Sequence, residues 1–224
     1  TWTKLHAVVP TDFVASGSTV YATWASGLYQ WDASRTWTKL HAVVPTGMVA
    51  TSTALYATWA SGLYQWKGAT WTKLNASVPA SMTGSGSYLY ATFTGSGLYQ
   101  WDGTTWTKLH AVVPTDFVAS GSTVYATWAS GLYQWDASRT WTKLHATVPT
   151  GMVGTSTALY ATWASGLYQW NGSTWTKLHA TVPTGMVASG AKLYTTFGSG
   201  IYLWEANVWT KLNATVPTTM VAGF

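Results

Sequence analysis

The chain has 224 residues, of which 47% are hydrophobic, 17 are tryptophan and only 8% are charged; so aromatic a composition can bury a large core and excludes low-complexity disorder. The net charge of +5 comes from six acids against eleven bases, and these bases are spread along the chain, so no basic strip forms for nucleic acid. The absence of cysteine excludes disulfides and thiolate metal sites, and no apolar run reaches the roughly 20 residues of a membrane span.

In chain order, Thr1-Trp2-Thr3-Lys4 has no signal-peptide features, which fits an intracellular chain or a processed form. Trp2-Thr3-Lys4-Leu5 reads as a short strand, and His6 to Pro10 as a long connection. A strand follows around Phe13-Val14-Ala15, then a Ser-Gly-Ser turn. Thr19 to Trp24 is β-branched and aromatic and reads as a second strand. Ala25-Ser26-Gly27 turns the chain into a third strand, Leu28 to Trp31. Asp32 to Arg35 turns it again into a fourth, Trp37 to Leu40. Proline falls once per unit, in the long connection, where no ladder donor is lost.

This unit repeats. Trp-Thr-Lys-Leu begins at Trp2, Trp37, Trp71, Trp106, Trp141, Trp175 and Trp209, spaced by 34 or 35 residues. Residues 1–66 recur at 105–170 and differ only at Val43 against Thr147 and Ala50 against Gly154. Four short strands and a loop, repeated at this period, predict an all-β propeller over residues 1–224. The second and third strands occur six times, so six four-stranded blades are expected, from about residue 11 to 213. Trp2–Leu5 and Met220–Phe224 are then surplus strands. They suit ring closure, an incomplete seventh blade, or pairing with a second copy as a homodimer.

Chain direction alternates within a blade, so the turns sort onto two faces. One face collects Trp24, Trp59, Trp128 and Trp163 at the ends of second strands. It also collects His6, His41, His110, His145 and His179, just before the Val-Pro loops. An indole beside an imidazole suits a sugar: the ring stacks on a pyranose and the polar group fixes orientation. Several equivalent sites of this kind predict a multivalent glycan-binding protein. Phe93 and Phe197 replace the indole in two repeats, where the sites are expected to be weak or absent. Asn75 and Asn213 replace two of the histidines, a swap that suits a hydrogen-bonding group better than a metal ligand. No metal or cofactor is expected. The alternative is a structural or protein-interaction propeller. Catalysis is not expected: the six acids lie apart, mostly in turns, and catalysis calls for one asymmetric cluster.

Trp-Thr-Lys-Leu, then Val14-Ala15-Ser16-Gly17-Ser18-Thr19-Val20-Tyr21-Ala22, then Gly27-Leu28-Tyr29-Gln30-Trp31, resembles the tectonin repeat over essentially the whole chain. The resemblance implies a ring of short blades and lectin-like binding of glycans or lipopolysaccharide.

Overall fold

The computed structural model describes residues 4–221. The chain is a six-bladed β-propeller, each blade a four-stranded antiparallel sheet with strands in sequence order. Blade 1 comprises β1 (Asp12–Ser16), β2 (Thr19–Trp24), β3 (Gly27–Trp31) and β4 (Trp37–His41). Blades 2 to 6 span 47–75, 81–110, 116–145, 151–179 and 185–213. The strands of every blade are called inner, second, third and outer here, matching β1 to β4. Tight turns join them because each pair is an antiparallel hairpin, and the longer Val-Pro loop carries the chain to the next blade.

Both faces of the middle strands are buried, which is why apolar residues do not alternate strictly with polar ones. Leu28, Leu63, Leu98, Leu132 and Leu167, from third strands, are fully buried. So are Tyr56 and Tyr90 from second strands. The cores lie between blades. Tyr90, Leu98 and Leu109 of blade 3, for example, pack on Phe117, Ala119, Val124 and Ala126 of blade 4. The inner strands surround an apolar central cavity of about 270 Å³, lined by Val14, Val49, Val118, Val153 and Val187 among others.

Each blade carries a bulge between its third and outer strands. In blade 1, Leu28 pairs with His41 while Tyr29 pairs with Lys39, so Leu40 is the extra residue. The bulge bends the end of β4 across Gly27, where φ is +132° and an added Cβ would meet the His41 carbonyl oxygen. Only glycine fits there. The same close approach recurs at Gly62, Gly97, Gly131, Gly166 and Gly200. It places His41 and its equivalents at the edge of the next blade.

The inner strands of blades 1 to 6 contact one another in turn. Between blade 6 and blade 1 the neighbour is different: Met220 and Val221 lie there, against Phe13 on one side and Val187 on the other. The expected terminal strands fall partly on residues 1–3 and 222–224, outside the described residues. Lys4, Leu5, Met220 and Val221 are not in strands. The physical reason is that a strand needs a ladder partner, and among the described residues none pairs with them.

Candidate functional site

The junction of blades 1 and 2 shows how the site is built. His41 ends the outer strand of blade 1 and Trp59 ends the second strand of blade 2. Their ring centroids are 4.5 Å apart at 45°. Two more rings of blade 2 meet the indole edge-on: Trp71 at 4.9 Å and Tyr64 at 5.5 Å. The expected pairing of indole and imidazole on one face is therefore present. It recurs for His110 with Trp128 at 4.4 Å, His145 with Trp163 at 4.6 Å, and His6 with Trp24 at 4.5 Å. His179 meets Phe197 in the same way, at 4.4 Å.

What the two rings bond to was not foreseen. The amide of Val43 donates to His41 Nδ1 at 3.0 Å, and Trp59 Nε1 donates to the carbonyl of the same Val43 at 3.1 Å. One loop residue is thus held by both its backbone groups. The arrangement repeats at Val8, Val112 and Thr147. His41 Nδ1 also lies 3.0 Å from the Val43 carbonyl oxygen, so the tautomer sets whether the ring accepts from the amide or donates to the carbonyl. At the two exceptions, Asn75 Oδ1 accepts from Ser77 and Asn213 Oδ1 accepts from Thr215, both at 2.8 Å. The swap of histidine for asparagine was the signal in the sequence. Asparagine commonly accepts from the amide two residues on, and the imidazole does the same work here. The imidazole and the indole meet at a tilt of about 45° rather than face to face.

Many of the other tryptophans pack between blades. Trp66 and Trp71 join the core between blades 1 and 2, and Trp101 and Trp106 the next one. Outer-strand indoles also tie blades together: Trp71 Nε1 donates to the Leu40 carbonyl at 3.4 Å, and Trp141 Nε1 to that of Leu109 at 3.0 Å.

Outside these cages the rim is regular. Lys39 Nζ lies 5.7 Å from the centre of the Tyr29 ring, whose hydroxyl contacts Ser26 Oγ at 2.9 Å. The lysine–tyrosine pair recurs in all six blades. The acids serve turns. Hydrogen bonds from Ser34 and Gln30 hold the Asp32 carboxyl below its usual range, and Ser138 and Gln134 do so for Asp136. Asp102 is lowered further by Thr105 and Thr104. Burial raises Asp116, at the start of an inner strand. Among the described residues no cluster of three or more His, Cys, Asp or Glu could hold a metal ion.

Apart from Val208, which starts the outer strand of blade 6, the exposed large apolar side chains gather in two places. One is the Val-Pro loop face, with Val8, Val9, Val43, Val78, Val112, Val148, Val182 and Val216. Val43 and Val112 are each 58% exposed, at the tips that the imidazole and indole clamp. The second is the gap between blades 6 and 1, with Leu5, Leu212 and Val221.

No protein-family model matches this chain, and no curated protein matches it. Its fold is similar to that of human WBSCR16, with a TM-score of 0.76, 8% identity, and coverage of 97% of this chain and 86% of that one. It is similar to the CRINKLY WD40 ectodomain of the Arabidopsis thaliana receptor kinase ACR4, with a TM-score of 0.68, 9% identity, and coverage of 92% and 83%. It is also similar to Prp20p of Saccharomyces cerevisiae, with a TM-score of 0.64, 10% identity, and coverage of 86% and 70%. The chain spans only 33% of the length of PorZ from Porphyromonas gingivalis, with 16% identity, 91% of this chain covered and a TM-score of 0.56. At such identities the likeness is one of fold alone.

Proposed function

We propose that this chain is a non-catalytic protein-interaction propeller that docks its partner on the Val-Pro loop face. The observation that carries this reading is the set of exposed valines repeated around one face, of which Val8, Val43 and Val112 are each fixed by two backbone hydrogen bonds. An exposed apolar patch marks an interaction surface, and tips that are already rigid lose little freedom on binding. The lysines on the rim favour a partner with acidic groups around an apolar centre. Prp20p, whose fold is similar, binds Gsp1p and histones and has been crystallised with Kap60 bound. Proximity labelling in the native cell tests the reading. The double variant Val43→Asp, Val112→Asp should recover the partner at least tenfold less than the wild type at equal expression. Undiminished recovery excludes this face.

Glycan binding at the tectonin-like Trp–His junctions is the second reading. The imidazole beside each indole favours it, because a polar ring nitrogen next to an aromatic ring can bind a sugar hydroxyl. A glycan array decides between the two. Binding that is lost in the Trp24→Ala, Trp59→Ala, Trp128→Ala, Trp163→Ala variant supports the lectin reading, and no binding by the wild type removes it.

A further inference from the structure

We propose that the turn between the third and outer strands of blade 5 modifies itself: the Gly172 nitrogen attacks the side-chain amide of Asn171, ammonia leaves, and a carboxylate remains at position 171. Of the four asparagines in the chain, Asn171 alone is followed by glycine. Residues 171–174 are all exposed, so water reaches the turn. Gly172 has a φ of +98°, and a Cβ built on it would meet nothing, so its nitrogen is unshielded. The Gly172 N–H makes no hydrogen bond to the described residues. The nucleophile is therefore free.

The group it attacks is held and polarised. Asn171 Oδ1 accepts from the amides of Ser173 and Thr174 at 3.0 and 2.9 Å. It also accepts from Ser173 Oγ at 2.9 Å and from Thr174 Oγ1 at 3.4 Å. Four donors aimed at one carbonyl oxygen draw electrons from Cγ. They also surround the atom on which negative charge develops when a nucleophile adds to that carbon, which is how a developing oxyanion is stabilised. Blade 3 shows that such donors hold a negative oxygen. Its turn, Asp102-Gly103-Thr104-Thr105, matches Asn171-Gly172-Ser173-Thr174, and Gly103 has a φ of +101°. Asp102 Oδ1 accepts from the amides of Thr104 and Thr105 at 2.8 and 2.7 Å, and from Thr104 Oγ1 at 2.8 Å. Asp102 Oδ2 accepts from Thr105 Oγ1 at 2.9 Å. These bonds keep the Asp102 carboxyl well below the usual carboxylate range.

The step balances with water as the one co-reactant. Gly172 N–H gives up its proton, its nitrogen bonds Asn171 Cγ, and the intermediate expels Nδ2 as ammonia, which carries the proton away. The product is a five-membered cyclic imide. Water adding at Cγ breaks the new bond and leaves aspartate on the normal backbone. Water adding at the main-chain carbon leaves the isoaspartyl linkage instead. Nothing is oxidised or reduced. The aspartate form is one that blade 3 already displays, with a second carboxylate oxygen for the hydroxyl of Thr174. It adds a negative charge to the turns that carry Asp32, Asp102 and Asp136, on the face opposite the Val-Pro loops.

The test incubates the purified whole chain at mildly alkaline pH and follows each asparagine by peptide mass spectrometry. Conversion at Asn171 should run at least tenfold faster than at Asn75, Asn207 or Asn213. The double variant Ser173→Ala, Thr174→Val removes two of the four donors at exposed positions, and native tryptophan fluorescence shows that it is folded. It should slow conversion at least threefold. If the donors merely tie the amide down, the variant converts as fast or faster, and that result overturns the proposal. So does conversion at Asn171 no faster than at the other three asparagines. The Val-Pro loop face plays no part in this result, so this proposal and the proposed function fail separately.

Discussion

Blade 1 and blade 4 have one sequence and two surroundings. Residues 12–41 and 116–145 are identical, and their strands share bounds and register. Yet Phe117, Ala119, Val124 and Tyr125 are buried while Phe13, Ala15, Val20 and Tyr21 are only half-buried. The blade itself forms from local pattern and ladder bonds. Whether it has a sealed core is decided by the neighbour, because each core is shared between two sheets. Blade 4 leans on blade 3, and blade 1 leans on a gap.

The comparison is broken most directly by placing the same charge in both blades. Val124 is 0% exposed, so Val124→Asp buries a carboxylate with no partner, at a cost of about 3–5 kcal/mol. Val20→Asp, at the matching position, faces the gap and should cost about 1 kcal/mol or less. Urea midpoints of the two variants measure the difference. Equal losses would mean that the gap is closed in solution.

The pattern of burial marks the limit of what the sequence reveals. The repeat period, the turn residues and the β-branched and aromatic runs were enough to place four strands per unit and six blades. They were local signals, and each hairpin obeys local rules. No local signal separates Val20 from Val124, since their flanking residues are the same for ten positions on either side. Only the neighbouring blade separates them: Tyr90, Leu98 and Leu109 of blade 3 cover Val124. The pairing of His41 with Trp59 was also legible, because turn parity places both on one face. Their bonding to Val43 was not, since it depends on the bulge at Leu40 that aims the imidazole. The exchange of histidine for Asn75 and Asn213 was the one clue to that role.

A second contrast concerns the buried tyrosines. Burial pushes the Tyr125 hydroxyl up to about 12, and Asp136 adds to the rise. The unfolded chain ionises its tyrosines near pH 10. Below that pH both states keep the proton and Tyr125 leaves stability unchanged. Between about pH 10 and 12 the unfolded state loses its proton first, so stability falls by about 1.4 kcal/mol per unit. Tyr125→Phe should remove that part of the alkaline slope. Tyr21 is raised by burial too, with Asp32 adding to it, so Tyr21→Phe should change the slope with the same sign. Its half-buried position makes the smaller change the expected one. Unfolding followed from pH 9 to 12 would show this, and an unchanged slope in Tyr125→Phe would mean that this hydroxyl is solvated.

The smallest effect is the one for which the two blades should agree. The clamp on Val112 depends on His110 and Trp128, and that on Val8 on His6 and Trp24. The amide-to-imidazole distance is 3.0 Å in both, and the ring separations are 4.4 and 4.5 Å. The geometry is the same at both junctions, so the clamp should survive beside the gap. His110→Ala should lose about 1 kcal/mol of local stability, seen as roughly fivefold faster exchange of the Val112 amide. His110→Asn should restore most of it, because an asparagine oxygen already holds Ser77 and Thr215. The paired variants of His6 should change the Val8 amide by the same factors, although its starting rate is higher at the open junction. If His6→Ala has no effect while His110→Ala does, the clamp needs the packed neighbour. The loop tips would then owe their rigidity to the ring as a whole rather than to the two side chains that touch them.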